Sequence, residues 1–316
     1  MPMQTPVLAR PAPMTLGREP APPRDPLPPF SLDRVASLVP PPLLVVAAIV
    51  LIQAGAATSK GLMTADNAMG VVWLRNLGAL LILLAVARPD LTALTRRQWL
   101  DALGLGVALA LFNSIFYLAI PRVPIGLVVT IGFLGPLLLG LLGARRLIDY
   151  LWPALALGGV MLITPWTGGS HIDPIGLLLA FAYAGAWIAY ILFSGRSGRS
   201  LPGLLGLTLG MAGSTLMLTP FGWSAAQGFL AQPDTLPLIG LVSLFTVLPF
   251  ALEYMALKRM KPSLYGVIVA TEPAIAALVA LLMLGEGIGV AGWIALAAVS
   301  IAAVGATLTR AVETDT

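Results

Sequence analysis

The sequence predicts an all-α integral membrane protein with ten transmembrane helices in two inverted five-helix halves. Hydrophobic residues make up 58% of the chain and charged residues only 10%. A soluble core cannot bury that much apolar surface, whereas a hydrocarbon layer of about 30 Å can hold it in helices of about 20 residues. A second observation, an internal repeat, predicts the division into halves.

Ten apolar stretches are long enough to cross a bilayer. The connections between them are short, so neighbouring helices should run antiparallel, and no soluble catalytic domain fits between them. The predicted spans are residues 43–60, 66–87, 99–120, 124–143, 147–165, 174–194, 203–221, 236–257, 263–284 and 288–309.

The two ends of the chain are polar tails. Residues 1–42 hold 13 of the 27 prolines, and because proline removes backbone donors and blocks helices, we predict a disordered cytoplasmic tail. It does not read as a secretory signal, because the first apolar stretch lies far from residue 1. Residues 311–316 form a short C-terminal tail, which we also place in the cytoplasm.

Positive charge is distributed unevenly about the predicted spans. With a cytoplasmic N-terminus, the cytoplasmic tails and loops carry fifteen Lys and Arg residues, and the opposite loops carry only Lys60 and Arg122. Cytoplasmic loops of membrane proteins are enriched in these residues, so both termini should be cytoplasmic. The net charge of +4 therefore reflects the orientation of the chain in the membrane. We predict no nucleic-acid partner.

A shift of 137 residues superposes part of the chain on itself. It places Tyr117 on Tyr254, Arg122 on Arg259 and Pro136 on Pro273, so spans 3–5 match spans 8–10. A weaker match at a shift of 130 pairs residues 54–56 with 184–186. Repeats at 43–170 and 171–310 hold five spans each, an odd number, so the halves should be inverted. That arrangement is typical of secondary transporters, with the substrate site at the midplane.

Few residues support catalysis or metal binding. The chain has no cysteine and a single histidine, His171, in a polar loop. We therefore predict no metal site, no cofactor and no enzyme. An intramembrane enzyme built on the adjacent Ser59 and Lys60, and a channel, are the alternatives from other functional classes.

Two opposite charges fall at similar depth in different halves. Arg75 lies about nine residues into span 2, and Glu272 lies about nine residues into span 9, directly before Pro273. Ionisable groups at this depth are costly and usually mark function. The sequence predicts either an ion pair that locks the bundle, or a carboxylate, loosened by Pro273, that binds a substrate ammonium group or a proton.

Further polar and aromatic side chains are candidates for substrate binding or coupling. Glu253 is expected near the cytoplasmic end of span 8, as a gate or as a surface pair with Lys258. Tyr183, Trp187 and Tyr190 share one helical face, which predicts either a clasp for an ammonium group or a packing face. The remaining candidates are Gln53, Asn113 and Tyr117.

Several segments resemble one known family. They are residues 53–60, 74–75, 113–120, 133–137, 186–192, 248–253 and 271–286. With these segments, residues 43–310 resemble an EamA-type permease of the drug/metabolite transporter superfamily, most like the threonine/homoserine exporter branch. The Glu-Pro to Leu-Gly-Glu block at 272–286 is family-wide, and Leu-Pro-x-x-Leu-Glu at 248–253 points to the branch.

The resemblance implies two inverted five-helix repeats around a central cavity. It also implies export of small amino acids, threonine- or homoserine-like, across a bacterial inner membrane by proton antiport. From the residues themselves we predict helix breaks at Pro136 and Pro273, and a monomer, because a closely packed ten-helix bundle can work alone. One position departs from the branch: Gly132 stands where a carboxylate precedes Phe-x-Gly-Pro. Another small metabolite, a nucleobase or a hydrophobic drug is therefore the alternative cargo.

Overall fold

The computed structural model describes residues 38–59, 67–87, 91, 94–119, 122, 125–144, 146–163, 173–272 and 275, with scattered residues between 290 and 309. Four subjects of the sequence predictions lie outside the described residues: the tail up to residue 37, Lys60, His171 and Pro273. The C-terminal residues 311–316 do so as well.

Nine α-helices occupy the described part of the chain, one for each of the first nine predicted spans. They are α1 (Pro41–Ser59), α2 (Ala68–Ala87), α3 (Arg96–Ala119), α4 (Ile125–Leu142), α5 (Leu147–Ile163), α6 (Pro174–Ser200), α7 (Leu205–Leu230), α8 (Leu236–Arg259) and α9 (Pro262–Val269). A 3-10 turn, Pro233–Thr235, precedes α8. Of the tenth span only scattered positions are described, so the count of ten stays a prediction.

Five helices, α1, α3, α6, α7 and α8, extend past the predicted spans by two residues or more. Helix α1 begins at Pro41 rather than residue 43, because proline lacks only an N–H that the first helical turn leaves unpaired anyway. Helices α6 and α7 end at Ser200 and Leu230 rather than at residues 194 and 221. Hydropathy detects the apolar part of a helix and misses polar turns that continue beyond it.

Helix α9 is shorter than predicted, because it ends at Val269 and not at residue 284. Thr271 closes the end with a turn, donating its N–H and its hydroxyl to the carbonyl of Ile268 at 2.9 and 2.7 Å. Helical geometry resumes at Glu272, and the Ile275 N–H donates to the Thr271 carbonyl at 3.0 Å. In a continuous helix the Val269 carbonyl would accept from residue 273, which as proline has no N–H.

The distribution of polar residues is that of a membrane bundle. Within the described residues, four helices are long and apolar enough to cross a membrane: α2, α3, α6 and α8. Large apolar side chains such as Leu147 and Leu216 are exposed, while Asn76, Asn113 and Glu253 are buried. Apolar residues outside and polar residues inside are expected where lipid replaces water as the surrounding solvent.

The main helix contacts form a regular pattern. Helix α3 packs against α6 and α7, α2 packs against α7 and α8, α1 against α8, and α4 against α6 and α9. The repeat predicted from the sequence pairs each helix with the one five positions along, so that α1 corresponds to α6 and α3 to α8. Exchanging each helix for its partner converts the α1–α8 contact into the α6–α3 contact. The same exchange turns α2–α8 into α7–α3, and it leaves α2–α7 and α4–α9 unchanged.

The start of α6 is held by a charged cap. The Asp173 carboxylate accepts from the Ile175 N–H at 2.9 Å and pairs with Arg122 at 3.0 Å. The hydrogen bond from Arg122, followed by the one from Ile175, holds the pKa of Asp173 below its usual value. This pair ties the α3–α4 connection to α6, outside the predicted spans.

Helices α4 and α9 cross so closely that we predict a strict requirement for glycine at residue 266. A Cβ there would overlap the carbonyl of Pro136, whose carbon would lie 2.9 Å away. Gly266→Ala should lower the stability of the purified protein by about 1–3 kcal/mol, the usual range for overpacking. Thermal unfolding in detergent measures the effect.

Gly240→Ala on α8 is the matched control, because a Cβ at residue 240 meets nothing within 4 Å. It should be neutral or slightly stabilising, since alanine favours helix over glycine by about 1 kcal/mol. Equal melting of the two variants would contradict this account of the α4–α9 crossing.

Candidate functional site

A carboxylate lies at the interruption of α9. Glu272 resumes helical geometry just past the end of α9, and its Oε1 accepts a hydrogen bond from Nε2 of Gln53 on α1 at 3.1 Å. Both side chains are partly buried. The break and the contact from α1 place a carboxylate inside the bundle, beside the end of a discontinuous helix, as at the ion and substrate sites of many transporters.

Arg75 has a different set of partners. Its Nη2 donates to Oδ1 of Asn113 on α3 at 3.1 Å, and Asn113 in turn donates to the Leu109 carbonyl at 2.8 Å. The Nε of Arg75 is buried without a hydrogen-bond partner among the described residues.

The predicted ion pair between Arg75 and Glu272 is not formed in this conformation. Each group instead hydrogen-bonds a neutral amide, of Asn113 or of Gln53. The ion pairs between described residues join Arg122 to Asp173 and Arg196 to Asp101. Similar depth in the membrane was not sufficient, because pairing also requires the two helix faces to point at each other.

Glu253 lies in a buried cage of tyrosines. Tyr190 of α6 and Tyr265 of α9 each donate a hydroxyl to its carboxylate at 2.8 Å. Glu253 is only 4% exposed, so the expectation of a surface pair with Lys258 is wrong. Lys258 donates to the Gly203 carbonyl at 3.2 Å instead. The cage joins three helices through one carboxylate.

The aromatic stripe of α6 is part of a larger cluster. Tyr183, Trp187 and Tyr190 are all buried. Phe112 of α3 contacts all three, with ring centroids 5.1, 5.5 and 5.6 Å apart. Phe112 was not among the residues predicted from the sequence, although it directly precedes the candidate Asn113. The stripe is packed in this conformation, and the ammonium clasp remains a prediction.

Tyr117 and Pro136 complete the predicted set. Tyr117 packs edge-on against Phe116 at 5.3 Å, and Phe116 contacts Tyr183 at 5.1 Å. The break predicted at Pro136 is wrong, because α4 continues through that proline from Ile125 to Leu142. Membrane helices tolerate proline where neighbouring helices support the freed backbone, and α9 packs against α4 here.

The space beside Gly132 is filled by a side chain of the neighbouring helix α6. A Cβ at residue 132 would collide with the ring of Tyr183, with Cδ1 at 2.7 Å. The ring of Tyr183 therefore occupies the space that a larger side chain at residue 132 would need.

Glu253 adjoins the aromatic cluster. Tyr190 donates to its carboxylate at 2.8 Å and also stacks on Phe112, with ring centroids 5.6 Å apart. Asn76, next to Arg75, is fully buried, and both its amide atoms have no partner among the described residues. Sequence reasoning passed over Asn76 because a single amide in an apolar stretch gives no periodic signal.

The two charged groups suit different ligand chemistries. A carboxylate such as Glu272 accepts from an ammonium group, and a guanidinium such as Arg75 donates to a carboxylate. Neither charge is neutralised by the other in this conformation.

Comparison with known proteins adds independent evidence. Residues 174–308 match the model of the EamA-like transporter family. The threonine/homoserine exporter RhtA of Escherichia coli is 35% identical over 283 residues, which cover 89% of this chain and 95% of that protein. The protein of the same name from Salmonella typhimurium is 34% identical over 271 residues, which cover 85% and 92%.

A solved structure shares the fold. A crystal structure described only as that of a protein superposes with a TM-score of 0.67 over 86% of this chain and 98% of its own. Its sequence identity is 21%, so the likeness concerns the fold alone.

Contact between Gly132 and Tyr183 predicts a coupled pair of substitutions. Gly132→Ala should destabilise the protein by about 1–3 kcal/mol, because the added methyl meets the tyrosine ring. Tyr183→Ala frees that space, so adding Gly132→Ala to it should cost much less. A double-mutant cycle by thermal unfolding measures the coupling, and strictly additive effects would refute the contact.

The tyrosine cage predicts a second set of coupled substitutions. Tyr190→Phe with Tyr265→Phe leaves the Glu253 carboxylate buried without these donors, at a cost of about 1.5–3 kcal/mol for each lost bond to a charged group. Replacing Glu253 by Leu in that double variant removes the orphaned carboxylate and should recover much of the loss. Unfolding midpoints of the three proteins test this, and a triple variant no more stable than the double would rule the cage out.

Proposed function

Because this chain belongs to the EamA-like transporter family, we propose that it is a secondary active exporter of small amino acids such as threonine or homoserine. The named function of its relatives supports the substrate class. Transport rather than catalysis is also favoured by the chemistry of the described part of the bundle, where the candidate site residues include no nucleophile paired with a base.

The observation that carries this proposal is the separation of Arg75 from Glu272. Each is held by a neutral amide, Asn113 or Gln53, and not by the opposite charge. An amino acid has an ammonium group for Glu272 and a carboxylate for Arg75. The aromatic cluster of Tyr183, Trp187 and Phe112 supplies a surface for cation–π contact with the ammonium group.

Proton antiport follows from the same carboxylate. Glu272 binds either a proton or the substrate ammonium group, because one site cannot hold both. A proton that arrives from the outer side releases the substrate there, and a substrate that binds from the cytoplasm releases the proton. The two fluxes then run in opposite directions through one group.

Alternating access requires two conformations, and inverted repeats supply them in many transporters. The helix contacts support such repeats here, because exchanging α1 with α6 and α3 with α8 maps the α1–α8 contact onto α6–α3. We propose that the cage of Glu253, Tyr190 and Tyr265 holds α6, α8 and α9 together in one conformation and opens in the other.

The proposed setting is a bacterial inner membrane, with both termini in the cytoplasm. The excess of Lys and Arg in the tails and in the loops after even-numbered spans supports that orientation. A monomer suffices, because Gln53, Arg75, Glu253 and Glu272 are all contributed by one chain.

A second cargo class is favoured by one contact. Tyr183 fills the space beside Gly132, where the branch pattern has a carboxylate, and so makes this wall aromatic. A wall without that charge suits a less polar metabolite, a nucleobase or a hydrophobic drug. Competition of such compounds with amino acids separates the two cargo classes.

Efflux from proteoliposomes tests the function. Purified protein is reconstituted with a panel of labelled amino acids that includes threonine and homoserine, under an imposed pH gradient. We expect saturable, gradient-dependent efflux of one or a few of them. Absence of efflux for every amino acid, from protein shown to be folded, would reject the amino-acid cargo.

Glu272→Gln should abolish the dependence on the pH gradient, because an amide cannot exchange a proton. We expect gradient-driven efflux to fall to the rate seen without a gradient, roughly tenfold or more, on the scale of a lost general proton-transfer group. Asp173→Asn is the matched control, since it removes a carboxylate outside the predicted spans and should leave efflux unchanged. Unaltered proton coupling in Glu272→Gln would remove this residue from the mechanism.

A further inference from the structure

A basic pocket lies at one end of the bundle, away from the residues of the candidate site. Its volume is about 800 Å³, and it is formed by the first turns of α3 and the last turns of α6. Its lining residues are Thr95, Arg97, Gln98, Asp101, Leu192, Arg196, Arg199 and Ser200. Three arginines face one aspartate, so the pocket carries an excess of positive charge.

Specific contacts between the two helices build this pocket. The Thr95 N–H donates to Oε1 of Gln98 at 2.9 Å and the Gln98 N–H donates to the Thr95 hydroxyl at 3.3 Å, a capping box that begins α3. The Gln98 side chain also donates to the Ser200 carbonyl, the last residue of α6, at 2.8 Å. One turn deeper, Nε of Arg196 pairs with Asp101 at 2.8 Å.

Two of the three arginines have no comparable role. Arg97 and Arg199 are exposed, and neither forms an ion pair with a described residue. Arg196 uses Nε for Asp101 and remains 58% exposed, so the rest of its guanidinium also faces outward. Asp101, in contrast, is buried at the base of the pocket. Arg97 and Arg199 carry guanidinium groups, which match the geometry of phosphate oxygens.

The surroundings of the pocket indicate what bears the phosphate. Leu192 forms part of its wall and is 44% exposed, and Leu100 and Leu103 on α3 are 58% and 52% exposed. Exposed leucines directly beside exposed arginines mark the boundary between acyl chains and headgroups. Basic pockets between membrane helices at this level bind anionic lipid headgroups.

We propose that this pocket binds the phosphate of an anionic phospholipid, with Arg97 and Arg199 as the principal donors and Leu192 against the acyl chain. Gln98, Asp101 and Arg196 hold the two helices at the required spacing. A lipid bound in this way bridges α3 and α6, two helices that pack extensively on each other.

Native mass spectrometry of the full-length protein in detergent tests this site. The probes are dioleoyl phosphatidylglycerol, dioleoyl phosphatidylcholine and inorganic phosphate. We expect the wild type to retain one phosphatidylglycerol in preference to phosphatidylcholine. Arg97→Gln with Arg199→Gln should weaken that binding roughly tenfold or more, given about 1 kcal/mol for each basic residue near an anionic lipid surface.

The matched control removes two charges outside the pocket. Arg96→Gln with Arg146→Gln alters exposed arginines that do not line it, and should leave lipid retention at the wild-type level. Arg97→Lys with Arg199→Lys keeps the charge without the forked donors and should give intermediate retention. Thermal unfolding establishes that each variant is folded.

Three results would overturn the proposal. Equal retention of phosphatidylglycerol by the pocket variant and the control variant would remove Arg97 and Arg199 from any lipid site. Equal retention of the two lipids by the wild type would exclude recognition of anionic headgroups. Displacement of the lipid by inorganic phosphate at similar concentration would make this a site for soluble anions.

Discussion

The structure depends on one constraint, that lipid offers no hydrogen bonds to the polar groups inside the bundle. Where those groups pair with one another, the pairing decides which helices meet. Glu253 joins α6, α8 and α9 through two tyrosine hydroxyls, and Arg75 joins α2 to α3 through Asn113. These contacts are few, and each of them fixes both the depth and the rotation of the helices that it connects.

The same constraint explains why the proposed site lies at the interruption of α9. A helix that stops inside a bundle leaves backbone groups without partners, and this is tolerated only where protein or water satisfies them. Thr271 closes the end of α9 onto Ile268, and Gln53 of α1 contacts the carboxylate that follows. The break and the contact from Gln53 therefore set the position of Glu272 within the bundle.

Charge on this protein has separate tasks in different places. In the candidate site, Arg75 and Glu272 each hydrogen-bond a neutral amide and not each other, as the proposed binding of a zwitterion requires. At the α3–α6 end, Asp101 and Arg196 pair with each other and hold the helices, while Arg97 and Arg199 face outward. A charge that is paired within the protein no longer binds a ligand, whereas an unpaired charge can do so.

Much of the fold and part of the candidate site were determined by the sequence alone. Apolar stretches of about 20 residues dictate membrane helices, because the bilayer thickness sets their length, and family membership follows from motifs that can be read along the chain. The lack of contact between Arg75 and Glu272, the tyrosines around Glu253 and the ring of Tyr183 against Gly132 were decided by tertiary structure. Hydropathy specifies that a helix crosses the membrane, whereas its rotation and its neighbours depend on packing against residues far away in the chain.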